Sequence, residues 1–372
     1  MASDAWLTLA CAAAPTDRRW LAAFKSCGTA EALVARSRRA LSELDLSEHA
    51  IERLKSPDAA AIERSRAWLK GSDRHLVTFD GEDYPPLLAE LVDAPLALWV
   101  QGANLALLSG PQLAIVGSRS PTSGGRDNAE AFARHLAERG LTITSGLAIG
   151  IDGAGHRGAL EQAGGTIAVL GGGLDSIYPR VHASLAAAIA ERRLLVSEYP
   201  PGVEPRKQHF PQRNRIIAGL SLGTLVVEAT RRSGSLITAR LAADYGREVF
   251  AIPGSIHNPL ARGCHLLIRS GAKLVEEATD IFVELAPQLK IDVATIERTR
   301  SHPVGELATI DAPEYRKVLG LLGFEPRSIT ALAEASGLTA AELSSMLLVL
   351  ELEGVVEALP GGRYSRLAKR DR

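Results

Sequence analysis

The sequence predicts an α/β protein built on one doubly wound, mostly parallel sheet, with a small helical domain before it and a winged-helix domain after it. Three observations carry that expectation. From His75 to Ala251, short β-rich apolar runs alternate with helical stretches. Before His75, apolar residues recur only at helical spacing. Beyond Pro287, three helical patterns lead into two short strands around Pro360-Gly361-Gly362, the outline of three helices and a wing.

A chain of 372 residues is too long for one ordinary core. The texture divides it into a helical domain at 1–70, a sheet domain at 71–290, a polar linker at 291–312 and a winged helix at 313–372. A hydrophobic content of 46% with 23% charged residues is that of a folded soluble protein. Cys11, Cys27 and Cys264 are odd in number and widely spaced, which indicates neither a disulfide framework nor a zinc site and fits the cytoplasm. The apolar run 6–15 resembles a signal peptide only at its alanines, since its leader carries Asp4 and no base. No run of apolar residues is long enough to span a membrane.

In order, helices are expected at 6–14, 17–26, 29–35 and 59–69, with Thr16 or Asp17 available to cap the second. Strands at 75–78 and 96–100 lead into a buried strand at 112–116, then helix 125–139, strand 142–144, helix 153–163, strand 166–170 and helix 182–192. Strand 194–197, helix 213–219, strand 224–228, helix 235–245 and strand 248–251 complete the sheet. The winged helix is expected as helices 314–322, 328–335 and 340–353 with strands 355–359 and 363–365. From Ala331 to Gly362 it carries five glutamates and no lysine or arginine, so its recognition helix suits protein contact better than duplex phosphates.

Doubly wound sheets bind ligands at the carboxyl ends of their strands. Here those ends read Gly117-Ser118-Arg119, Ser145-Gly146, Gly171-Gly172-Gly173, Ser197-Glu198 and Pro253-Gly254. Glycine is normal at such turns, and it also lets a backbone approach a phosphate. The stretch 205–240 adds charge: Arg206, Lys207, Arg213, Arg215, Arg231, Arg232 and Arg240 face one acid, Glu228, in a chain of net charge −1. A local positive field on a neutral protein points to a dedicated polyanion site.

Several common readings fail on spacing. No G-x-G-x-x-G follows the first parallel strand and no G-K-S or G-K-T follows a glycine-rich turn, which argues against dinucleotide binding and triphosphate hydrolysis. Asp152 and His156, four apart, lack a third metal ligand, and the favoured reading is a helix cap and a rim hydrogen bond. Glu228 is compatible with orienting Arg215 or Arg231 and with catalysis, and the sequence does not decide between them. Ser233-Gly234-Ser235 opens a helix behind Arg231 and Arg232, an arrangement suited to an anion. Lys207 and Phe210, three apart in a proline-bounded loop, offer a charge for phosphate and a ring for a base, which suits single-stranded nucleic acid.

These motifs together carry a resemblance. I-V-G-S-R at 115–119, S-G-L-A-I-G-I-D-G-A-G-H at 145–156, the G-G-G-L-D-S-I-Y-P turn ending at Pro179, S-E-Y-P-P-G from Ser197, H-F-P-Q-R-N-R-I-I-A-G-L from His209, R-S-G-S-L-I-T-A-R from Arg232 and F-A-I-P-G-S from Phe250 closely resemble the DNA-processing protein A family, DprA or Smf. The resemblance spans the sheet domain, and the flanking modules also look like those of full-length members. It implies a Rossmann-like sheet domain between a SAM-like helical domain and a winged helix, in a cytoplasmic protein of natural transformation. Such a protein binds and protects incoming single-stranded DNA, helps load a RecA-type recombinase and dimerises through the sheet domain. Neither enzymatic activity nor a cofactor or metal is implied. The family's DNA contacts fall on Arg119, Lys207 and Phe210. A third basic position, lysine in some members, falls on Arg180. Gly117, Ser118, Gln208, Arg232, Ser233 and Gly234 complete the expected contact set. The alternative is a nucleotide-processing enzyme related to lysine-decarboxylase-like phosphoribohydrolases, whose P-G-G-x-G-T-x-x-E motif is matched only loosely by G-L-S-L-G-T-L-V-V-E ending at Glu228.

Overall fold

The structure is a computed structural model that describes residues 3–290, 313–323, 325–352, 355–359 and 362–367. The expected linker, the last residue of the third winged-helix helix (Glu353) and the wing tip at Pro360 and Gly361 lie outside the described residues. The described chain forms two compact units, one carrying the sheet and the other the winged helix.

The first unit opens with six short helices, α1 (Asp4–Ala12), α2 (Arg19–Cys27), α3 (Ala30–Ala35), α4 (Arg38–Ser42), α5 (Glu48–Lys55) and α6 (Ala59–Trp68). Ser3, Thr29, Ser37, Ser47 and Asp58 cap five of them by accepting amide hydrogen bonds. Asp17, one of the two residues expected to cap α2, accepts the amide of Arg19, the first residue of that helix, at 3.2 Å and also binds the Arg19 guanidinium at 2.8 Å, while Arg18 at the N-cap position makes no side-chain cap. Two helices, α4 and α5, were not expected. Trp6, Trp20, Phe24 and Leu33 of this module share one apolar core with Leu98, Val169 and Val196 of the sheet.

Nine strands follow: β1 (Arg74–Thr78), β2 (Ala97–Gly102), β3 (Gln112–Val116), β4 (Thr142–Ser145), β5 (Thr166–Leu170), β6 (Leu194–Ser197), β7 (Gly223–Val226), β8 (Glu248–Ala251) and β9 (Lys273–Leu274). They lie in the order β1-β2-β6-β5-β4-β3-β7-β8-β9. The pairs β1/β2 and β2/β6 are antiparallel, and the others are parallel. Their connections hold α7 (Pro86–Ala89), α8 (Ser123–Glu138), α9 (Ile151–Ala159), α10 (Ala183–Arg192), α11 (His209–Leu220), α12 (Ser235–Asp244) and α13 (Arg262–Arg269), and α14 (Ala278–Leu289) follows β9. The elements α13, β9 and α14 extend the unit beyond the expected last strand.

Strand β3 shows why the sheet needs helices on both faces. Leu113 and Ile115 pack with α8, α9 and α14, while Ala114 and Val116 pack with α11 and α12. A strand with side chains alternating between two covered faces reads as a continuous apolar run. Among the described residues, no helix is long and apolar enough to cross a membrane.

The second unit contains α15 (Pro313–Leu322), α16 (Ile329–Ser336) and α17 (Ala340–Leu352), with a sheet of order β10-β12-β11 from Arg327–Ser328, Val356–Leu359 and Arg363–Arg366. Val318, Leu322, Leu332, Leu343, Leu347 and Leu350 form its core. Thr339 and Glu342 form a reciprocal cap at the start of α17.

One buried charge cluster fastens α11 to the sheet unit. Arg215 lies 2.6 Å from Glu198 and 3.4 Å from Asp93, with its side chain 4% exposed. Burial opposes its charge, and the two carboxylates outweigh that opposition, so its pKa rises. Replacing Arg215 with Met strands two partly buried carboxylates and is expected to cost about 3–5 kcal/mol in urea unfolding at neutral pH. A loss below about 1 kcal/mol would show that the cluster is not a structural fastening.

Candidate nucleic-acid interface

The parallel strands reverse their winding order between β3 and β7, because the chain leaves β3 for β4 on one side and returns with β7 on the other. Such a switch point opens a crevice at the strand carboxyl ends. A cavity of about 610 Å³ lies there, lined by Gly117, Ser118 and Arg119 after β3, Asp152 of α9, Tyr178 after β5, Lys207, Phe210 and Arg213 around the start of α11, and Ser233, Gly234 and Ser235 at the start of α12.

The loops forming this wall are tied to one another. Ser118 donates its amide to the Glu228 carbonyl at 2.7 Å and accepts from the Ile151 amide at 3.1 Å. Gly150 permits this contact: its φ is +87°, and a Cβ there would stand 2.3 Å from the Ser118 carbonyl oxygen. Arg119, carried just beyond, is exposed, and its guanidinium carbon lies 5.9 Å from the centre of the Phe210 ring.

The Asp152 and His156 pair braces this wall from behind. Asp152 is the second residue of α9, and its carboxylate accepts from the Gly146 and Ala148 amides at 3.1 and 3.4 Å, so it caps the preceding loop rather than its own helix. Burial raises its pKa, opposed by Arg213 and those amides. Thr166 donates its hydroxyl proton to the Ile143 carbonyl, so its oxygen accepts from His156 Nδ1 at 2.7 Å. His156 Nε2 then accepts from the Leu147 amide at 3.3 Å, which makes the ring neutral. Among the described residues, no group of three potential ligands is placed to hold a metal.

Helix α11 corrects one expectation. The segment bearing Lys207 and Phe210 is not all loop: α11 begins at His209, which places Phe210 in its first turn. Pro211 is accommodated there because the first amides of a helix have no intrahelical acceptor. The half-buried Phe210 ring lies 5.4 Å from that of Tyr178, which is 54% exposed. Lys207 is exposed. Arg213, counted above among the bases of a positive patch, is buried and donates to the Gly146 carbonyl at 3.0 Å. Burial lowers its pKa to about 10, opposed by Asp152. Gly146 is required at this approach, since a Cβ would stand 1.5 Å from a guanidinium nitrogen.

Of the expected contact residues, the structure brings Gly117, Ser118, Arg119, Lys207, Phe210, Ser233 and Gly234 to one cavity. Arg180, Gln208 and Arg232 are exposed but do not line it. Arg180 opens a short turn two residues beyond Tyr178. Gln208 occupies the N-cap position of α11 without a side-chain cap. Tyr178, Asn214 and Thr230 line the cavity and were not expected to. A tyrosine at the end of a glycine-rich strand turn was the available signal for the first.

The fold and crevice place the chain among doubly wound α/β proteins whose switch point carries cations beside an open aromatic ring. Residues 75–286 match the model of DNA recombination-mediator protein A, and residues 303–362 match the DprA winged helix domain. The chain belongs to this DprA/Smf family. It is 45% identical over 330 residues to Protein Smf of Escherichia coli, covering 88% of this chain and 87% of that one. An X-ray structure of DNA processing protein A from Streptococcus pneumoniae superposes with a TM-score of 0.67 at 38% identity, over 76% of this chain and 99% of that one. A structure of DNA processing protein A from Helicobacter pylori, concerned with its single-stranded DNA binding mode, gives 0.52 at 31% identity, over 57% and 97%. These likenesses do not favour the phosphoribohydrolase alternative.

Burial, followed by the coulombic influence of His182, Arg213 and Arg157, lowers the His156 pKa from 6.5 to about 3. The unfolded chain therefore takes up a proton that the folded chain refuses, and stability present above pH 6.5 is lost as pH falls. Replacing His156 with Gln is expected to remove about 1.4 kcal/mol per pH unit of that acid sensitivity, read by urea unfolding between neutral pH and about pH 5. Equal pH slopes in the two proteins would refute the neutral buried ring.

Proposed function

We propose that this chain binds single-stranded DNA in the cytoplasm during natural transformation, protects it and helps load a RecA-type recombinase, as a non-enzymatic homodimer. The observation that carries the reading is the composition of the switch-point wall. Two exposed cations, Arg119 and Lys207, flank a half-buried ring, Phe210. The acid on that wall, Asp152, is buried and engaged by amides. The likeness to the Helicobacter pylori protein supports a single strand as the polyanion. In this reading Arg119 and Lys207 take phosphates, Phe210 stacks on a base with Tyr178 beside it, and Ser233 and Gly234 at the start of α12 face the strand. Arg180, Gln208 and Arg232 serve from outside the cavity. The glutamates of the winged-helix domain support a protein contact for it.

Replacing both Arg119 and Lys207 with Ala is expected to weaken oligothymidylate binding about a hundredfold, at about 1.5 kcal/mol per charge-assisted contact. The salt slope should fall by about 1.4 log units, and Phe210→Ala should cost about tenfold with that slope kept. Unchanged affinity in the double variant, measured by fluorescence anisotropy, would remove the site.

The far edge of the sheet supports the homodimer. Strand β9 is two residues long with Leu274 47% exposed, and Leu266 of α13 is 44% exposed. Covering them with the same edge of a second copy buries both. Leu274→Glu is expected to shift the protein to monomer mass in sedimentation, whereas a variant that keeps dimer mass would place the interface elsewhere.

A further inference from the structure

A second cavity, of about 490 Å³, shares a wall with the first. Along the segment entering α11, Lys207 and Phe210 line the first cavity, while Arg206 and His209 line the second. Its other side is the helical module, which contributes Cys11, Arg53 of α5, and Asp58 and Arg64 at α6. Three guanidinium groups, from two helices and the α11 approach, therefore meet one space.

The protein supplies little counter-charge to them. Arg53 is half-buried and donates to the Cys11 carbonyl at 2.9 Å, with no carboxylate in ion-pair reach among the described residues. Arg64 reaches only the Asp58 carboxylate, at 4.0 Å, while Asp58 also accepts the α6 amides of Ala60 and Ala61 at 2.9 and 3.1 Å. Arg206 is exposed, and its side chain makes no hydrogen bond or ion pair among the described residues. The remaining acid on the wall, Glu198, is held by Arg215 at 2.6 Å. Arg53, half-buried without a carboxylate, is a cation partly drawn out of water, and a phosphate with several acceptor oxygens offsets that cost while also meeting the two exposed guanidinium groups beside it. Pro57, Pro200 and Val203 give the same cavity an apolar lining that limits competing water.

We propose that Arg53, Arg64 and Arg206 form a second phosphate site, which grips the strand again after it leaves the first cavity. This rests on the single-strand reading above. The helical module then acts as one jaw of the binding groove, and the segment 206–210 is the ridge over which the strand passes.

The test uses the full chain and oligothymidylates of about four to about sixteen nucleotides, the span of common single-strand site sizes. Arg64 and Arg206 are both exposed, so Arg64→Ala with Arg206→Ala is expected to fold normally. The double variant should bind the shortest oligonucleotide as the parent does and the longest about tenfold more weakly, with a salt slope lower by about 0.7 log units for one lost phosphate. Replacing both with Lys should restore most of the loss. Equal affinities for parent and variant at every length, or the same loss at every length, would overturn the proposal. If the parent binds no single strand, the reading of the first cavity fails by itself, and inorganic phosphate then tests the second. Thermal stabilisation of the parent by phosphate but not of the variant keeps a phosphate site there, and no stabilisation of the parent overturns it. Phosphate stabilisation lost in the variant without any length-dependent loss would assign the arginines to a free phosphate compound and overturn their place on the strand.

Discussion

On α11 the guanidinium groups of Arg213 and Arg215 reach different strand ends, because a two-residue step turns a helix by about 200°. Arg213 meets the Gly146 carbonyl beyond β4, and Arg215 meets Glu198 beyond β6 together with Asp93. The helix is thus held from two sides at its first half, where Phe210 stands. Neither contact is cheap, since both cations are almost fully withdrawn from water. What they supply is position: a ring and a lysine at the start of a helix that neither slides nor rotates against the sheet.

The same fastening explains why the wall is shared among several loops. Gly146 yields its side-chain space to Arg213, and Asp152 holds the Gly146 and Ala148 amides. Ile151 donates to the Ser118 carbonyl, while Ser118 donates to that of Glu228. Three strand ends, those of β3, β4 and β7, are therefore linked through the start of α9 by hydrogen bonds before any ligand arrives. A wall organised in this way loses little conformational freedom on binding, and that saving appears as affinity.

Much of this fold was legible because period and composition agree wherever both faces of a strand are covered. β3, β5 and β6 read as unbroken apolar runs with the bounds they have in the structure. The short helices α4 and α5 escaped because their polar residues dominate any window of that length, although Ser37 and Ser47 cap them. Phe210 was assigned to a loop because Pro205 and Pro211 bracket it, yet a proline in a first turn removes no hydrogen bond. At the crevice, residue type and spacing identified Lys207 and Phe210 as candidates, and the family resemblance added Arg119. Residue type did not separate Arg213 and Arg215 from the exposed arginines, because a count of charges along a chain carries no information about depth. Their partners, Gly146, Glu198 and Asp93, are visible only in three dimensions.

Positive charge alone would accept any nucleic acid, and for duplex DNA the phosphates are the denser target. Two features set this chain against that outcome. Its net charge is −1, so no long-range field pulls duplex to the surface at large. In the proposed complex the crevice also asks for something a duplex does not present, a base whose π-face is free to meet Phe210 and Tyr178. Within the proposed complex, stacking then selects the strand and the cations hold it. Placing the ring under the control of α11 makes that selection depend on the buried arginines, since a ring free to turn away would leave only the indiscriminate term.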